Sequence, residues 1–147
     1  VFQIVEGSVF DFPAQTIVNT VNCVGIMGGG LAKACKDRWP EMFREYRARC
    51  DDGRLAPGIL HLWKGPDQWV LNFPTKGHWR WNSEYQWVAA GLDNLGRNYA
   101  AMGITDLNIP LLGCSKGKLD PDEVIQMIKD ALAWQRNLNV RLCVLPI

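Results

Sequence analysis

The stretch Thr16–Ala32 joins two different hydrophobic periods through four glycines, and few folds accommodate it. Thr16 to Thr20 is a β-branched, apolar run, and Asn19 and Asn22 mark its end. Gly25, Gly28, Gly29 and Gly30 then fall within six residues, and a helical pattern begins at Leu31. A strand that empties through glycines into a helix N-terminus is a general way to hold phosphate. Glycine lets the backbone approach closely, while free N–H groups and the helix dipole favour an anion. The spacing is neither G-x-G-x-x-G nor G-x-x-x-x-G-K-[ST], so the usual dinucleotide and P-loop fingerprints do not apply.

The 147 residues are a single-domain length. With 48% hydrophobic and 21% charged residues and a net charge of +1, the chain reads as an ordinary globular protein. Any nucleic-acid surface must therefore be local. No apolar run approaches membrane-spanning length and no signal peptide is visible, so a cytoplasmic protein with no membrane partner is expected. Five cysteines (23, 35, 50, 114 and 143) form no C-x-x-C pair. With His61 and His78 they offer no zinc spacing; reduced thiols, no metal and no cofactor are expected.

Along the chain, Val1–Val5 reads as a short buried strand and Thr16–Thr20 as a second. Leu31, Cys35 and Trp39 form a helical stripe, and Pro40 opens another helix lined by Met42, Phe43, Tyr46 and Cys50. Ile59–Trp63 and Trp69–Phe73 flank a turn. Asn82 or Ser83 is placed to cap a helix striped by Tyr85, Val88, Leu92, Leu95, Tyr99 and Met102, which Gly103 stops. Ile104–Ile109 is a strand. Asp120-Pro121-Asp122-Glu123 starts a further helix, and Val140–Leu145 is a terminal strand. The order β-β-α-α-β-β-α-β-α-β argues for a mostly parallel sheet between helices. Loops 22–30, 74–81 and 110–118 each follow a strand, and ligands gather at the carboxyl ends of strands in such sheets.

The run Asn19–Ala32, then Trp39-Pro-Glu-Met-Phe43, Leu71-Asn-Phe-Pro-Thr-Lys76 and Leu112-Gly-Cys114, resembles the macrodomain family. The likeness is greatest to its branch of DarG-type DNA ADP-ribosyl glycohydrolase antitoxins and terminal ADP-ribose glycohydrolase. It covers Phe2 to Leu145. The resemblance implies one three-layer α/β/α domain over residues 1–147, with a mixed, mostly parallel sheet of about six strands. It also implies ADP-ribose contacts from Ser8 and Val9, from Asn19, Asn22, Gly25, Ile26, Met27, Gly28, Gly29 and Gly30, and from Thr75. Leu112, Gly113, Cys114, Ser115, Lys116 and Gly117 complete the implied set from the second loop.

In the DarG-type branch the reaction is removal of ADP-ribose from thymidine in single-stranded DNA. The catalytic lysine matches Lys76, and an asparagine matching Asn22 holds the distal ribose. Hydrolysis at an anomeric carbon passes through an oxocarbenium-like state, and the three loops hold no paired carboxylates, which suits a desolvated lysine. His78, Trp79, Arg80 and Trp81 interleave rings and cations as single-strand grooves do, or else their indoles anchor the next helix to the core. Partners implied are ADP-ribose or ADP-ribosylated single-stranded DNA and a cognate ADP-ribosyltransferase toxin, with the chain a monomer. The alternative is a non-catalytic module that senses ADP-ribose or a derived nucleotide. Two departures stand out: Gly7-Ser8-Val9 where the family has Gly-Asp-Ile or Gly-Asp-Leu, and Ser115, Lys116 and Lys118 in a loop otherwise rich in glycine.

Overall fold

The computed structural model describes residues 1–145. Its strands are β1 (Phe2–Glu6), β2 (Thr16–Val21), β3 (His61–Lys64), β4 (Trp69–Pro74), β5 (Asp106–Pro110) and β6 (Asn139–Val144). The helices are α1 (Gly30–Arg38), α2 (Pro40–Asp51), α3 (Tyr85–Met102) and α4 (Pro121–Leu132). Element order follows the sequence pattern throughout. The strands form one sheet in the order β1-β6-β5-β2-β4-β3, all neighbours parallel except the β3–β4 pair.

Alternation along the central strands separates two cores. Val18, Leu71 and Phe73 pack with Val88, Leu92 and Leu95 of α3 and Val124, Ile128 and Leu132 of α4. Val21 and Val70 face the other way, toward Cys35 of α1 and Met42 and Tyr46 of α2. Period-two strands that bury both faces require helices on both sides, which makes three layers. Gly91 is the point where α3 closes on the sheet: a β-carbon there would run into the Phe73 ring.

Three local expectations are corrected. Among the described residues the first strand is an edge, paired only to β6, and is largely exposed, with Ile4 at 51%. Its apolar composition is indistinguishable from that of a buried strand until its neighbours are known. Strand β3 begins at His61, two residues after Ile59. Helix α3 begins at Tyr85, and its N-cap, Glu84, makes no side-chain capping bond. Asn82 lies outside the helix, and Ser83 is buried beneath another loop.

The sheet order carries the functional consequence. Strands β5, β2 and β4 are adjacent and parallel, so the loops that follow them emerge side by side at one end, with the glycine loop in the middle. The sequence could align these loops in direction but not in space.

Candidate functional site

The glycine loop is held from within by Asn22. Its Oδ1 accepts from the N–H of Val24 (3.1 Å) and Ile26 (3.4 Å), and its Nδ2 donates to the Ile26 carbonyl at 2.7 Å. The buried Tyr46 hydroxyl of α2 donates to Asn22, 2.9 Å from both its carbonyl and its Oδ1. Most of the carboxamide is thus spent on the loop, leaving one Nδ2 hydrogen for a ligand. Asn19 is fully buried: its Nδ2 donates to Asn72 Oδ1 at 3.0 Å, and Asn72 Nδ2 donates to His61 Nδ1 at 3.0 Å. His61 in turn donates from Nε2 to Glu45 Oε1 at 2.9 Å, and burial lowers its pKa, which favours the neutral ring. Asn19, Met27 and Leu112 therefore support the crest from below, with side chains closed to a ligand.

The loop ends at an open helix N-terminus. Gly29, the N-cap of α1, offers no side-chain cap, and the first turn contains no acidic residue. The first backbone N–H groups of such a helix attract an anion. Into the same place the second loop sends Lys116: a β-carbon placed on Gly29 would lie 2.5 Å from Lys116 Nζ. The two loops thus meet as a lysine ammonium over an uncapped helix.

Lys76 is the second residue after β4 and is half-buried. Burial lowers its pKa, and the neighbouring Lys116 lowers it further, because both penalise the ammonium form. The backbone around it is pinned: Thr75 N–H donates to the Val21 carbonyl and Cys23 N–H to the Gly77 carbonyl, each at 3.0 Å. Cys23 and Cys114 are no competing nucleophiles, since burial pushes their thiols up to about 12 and about 11.

The second loop depends on a residue that sequence reading treated only as a cap. Ser83 N–H donates to the Gly117 carbonyl at 3.0 Å, and a β-carbon at Gly117 would strike both Ser83 Oγ and the Gly113 carbonyl. Gly113 has φ +74°, and Lys118, not a glycine, sits at φ +65°. Left-handed backbone costs a non-glycine residue about 1 kcal/mol or more, so Lys118 is held there by its surroundings. Ser115 is exposed at the tip.

At the far end of the crest the Ser8 hydroxyl accepts from Phe10 N–H at 3.2 Å, a local turn bond. The carboxylate at this place belongs to Asp11, which accepts from Ser8 N–H at 2.7 Å. Val9 is buried. On the other flank His78 stacks on Trp79 at 5.3 Å between ring centroids and approaches Trp81 at 5.5 Å, while the Arg80 guanidinium lies 4.7 Å over Trp79. Trp79 and Trp81 are 43% and 58% exposed, so neither anchors α3 to the core. They form a self-stacked surface turn.

The macro domain family model matches residues 18–128. The DNA ADP-ribosyl glycohydrolase of Mycobacterium tuberculosis is 38% identical over 131 residues, 86% of this chain and 37% of that protein. The macrodomain of Mycobacterium tuberculosis DarG superposes with a TM-score of 0.92 at 33% identity, covering 97% of each chain. Thermosipho africanus DarTG in complex with ADP-ribose gives 0.90 at 30% identity, over 99% of this chain and 42% of that one. A strand–glycine loop–helix unit at the middle of a mixed six-stranded sheet, and these matches with it, place the chain in the macro domain family. The chain spans a little over a third of the length of the curated glycohydrolases it matches.

Proposed function

We propose that this chain is the glycohydrolase domain of a DarG-like protein, which removes ADP-ribose from thymidine in single-stranded DNA. The observation that carries the reading is Lys116 over Gly29 at the open start of α1, close enough to Lys76 to add to the burial that disfavours its ammonium form. Similarity to the DNA ADP-ribosyl glycohydrolases supports ADP-ribosylated DNA as the substrate class.

In this reading the pyrophosphate lies at the N-terminus of α1 under Lys116, where helix dipole and ammonium both oppose its charge. The distal ribose then comes to the remaining Nδ2 hydrogen of Asn22, beside Lys76. A lysine amine freed of its proton is a competent nucleophile at the anomeric carbon, or a base for the attacking water. The glycosidic bond breaks as positive charge builds on the ribose, and the departing base carries away the electron pair. A cognate ADP-ribosyltransferase would supply the adduct, as the name of the fused Thermosipho africanus protein joins the two activities in one chain.

The test is Lys76→Ala on an ADP-ribosylated oligonucleotide. Single-turnover release of ADP-ribose should vanish while calorimetric affinity for ADP-ribose stays within about tenfold, about 1.4 kcal/mol. A variant that retains the wild-type rate refutes the lysine mechanism. A wild-type protein that binds ADP-ribose but never releases it from the oligonucleotide is a sensor instead. The Ser8 hydroxyl spent on Phe10 and the absence of a carboxylate among residues 113–118 are the features that would then explain the loss.

A further inference from the structure

The glycine loop, from Val24 to Gly28, also borders a pocket of about 310 Å³ that it forms with helices α1 and α2. Its wall is the loop itself, with Val24 and Ile26 exposed at 44% and 46%. Its floor and far side are Lys36, Phe43 and Arg47, with Asp51 at one end. The Lys36 ammonium lies 4.4 Å from the centre of the Phe43 ring. The stem of Arg47 leans on the loop, its Cγ 3.3 Å from where a β-carbon of Gly25 would sit.

Most of the other basic side chains on α1 and α2 are already matched. Lys33 pairs with Asp37, Arg44 with Glu41 and Arg49 with Glu45. Among the described residues Lys36 and Arg47 take part in no ion pair, although Asp51 lines the same pocket. Two unmatched cations, an aromatic ring and two exposed aliphatic side chains in one pocket suit a ligand that is anionic at one end and flat and apolar at the other. A nucleotide has that chemistry.

The position fits the same strand. The Cys23–Gly77 backbone bond ties the glycine loop to the start of the His78–Trp81 turn, so the aromatic turn and the cationic pocket flank one junction, the one that holds Lys76. We infer that the Lys36–Phe43–Arg47 pocket binds the phosphate and base of a nucleotide neighbouring the modified one, the strand crossing the glycine loop at Val24–Ile26. This rests on the reading that the substrate is a modified single strand. In that geometry the aromatic turn and the pocket grip the strand on either side of the reacting base, and ADP-ribose occupies the crevice between them.

The experiment uses three probes on the whole chain: a ten-nucleotide oligothymidine bearing one ADP-ribose, the same oligonucleotide unmodified, and free ADP-ribose. Lys36→Met with Arg47→Met keeps the aliphatic stems against Phe43 and Gly25 and removes only charge. The double variant should bind both oligonucleotides about tenfold more weakly and with a shallower salt dependence, smaller by about 0.7 for each phosphate no longer neutralised. Its affinity for ADP-ribose and its melting temperature should not move. Asp51→Asn, a change on the exposed end of α2, should tighten the oligonucleotides severalfold and leave ADP-ribose alone. Oligonucleotide affinity that ignores both variants, or a loss shared equally by free ADP-ribose, overturns the pocket. If the wild-type protein releases no ADP-ribose yet the oligonucleotides respond to both variants, the hydrolase reading fails and the nucleotide pocket stands.

Discussion

Helices α1 and α4 both begin in glycine-containing loops at the carboxyl ends of neighbouring parallel strands, yet their first turns are opposites. Helix α4 is closed to an outside anion. Asp120 accepts from Asp122 N–H, Pro121 removes one donor, and Asp122 and Glu123 complement the dipole. The Tyr85 hydroxyl accepts from the Asp120 N–H at 3.1 Å, so the cap is also tied to α3. Helix α1 has none of this: a glycine cap, no acidic side chain, and a lysine brought in from another loop. One terminus is finished by its own side chains and serves stability. The other is left unfinished, at some cost to stability, and that makes it a receptor for charge.

The largest expected effect comes from erasing that difference. Gly29→Asp places a carboxylate at the N-cap of α1, in extended backbone (φ −162°) that any residue adopts, and beside Lys116 Nζ. It should cap the helix and pair with the lysine, so thermal stability holds or rises. ADP-ribose affinity by calorimetry should fall about thirtyfold, about 2 kcal/mol, from lost donors and repulsion. Unchanged affinity would place the anion elsewhere. The converse change, Asp120→Ala, should cost about 1 kcal/mol in denaturant unfolding and leave ADP-ribose affinity within twofold. A large binding loss from Asp120→Ala would end the distinction between the two helices.

Lys116→Leu sharpens the comparison by removing the imported charge and keeping the open terminus. Affinity should drop a few-fold at low salt and hardly at all at high salt, because an exposed contact is screened. The same variant has a kinetic signature. A cation beside Lys76 disfavours its ammonium, so removing Lys116 lets the Lys76 pKa rise, and the rising, acidic limb of the hydrolysis profile, where Lys76 loses its proton, should move to higher pH. A limb that stays in place would mean that Lys116 does not act on Lys76.

The smallest effect concerns the floor under the glycine loop. Burial lowers the His61 pKa below its ordinary 6.5, so the unfolded chain binds this proton more readily than the folded one. His61 therefore adds stability that is complete above about pH 6.5 and is lost as pH falls through the folded value. His61→Gln should flatten that part of the stability–pH curve, measured by urea unfolding at several pH values. A curve of unchanged slope would assign the acid sensitivity to other groups.

What the sequence determined by itself was whatever a few consecutive residues decide. The β-branched run into Gly25–Gly30, the Asp120-Pro121 start and the Gly103 stop each act through local backbone preference. The Pro74-Thr75-Lys76 segment was legible as a family motif, although nothing local distinguishes its lysine from a solvated one. The edge position of β1 and the true work of Ser83 were not legible, because exposure and contact depend on strand order and loop packing. The tertiary structure alone brought Tyr46 to Asn22 across 24 residues, Lys116 over Gly29, and Arg47 against the glycine loop. The adjacency of β5, β2 and β4 arranged these meetings, and that order comes from burying two apolar faces at once, which no single segment encodes.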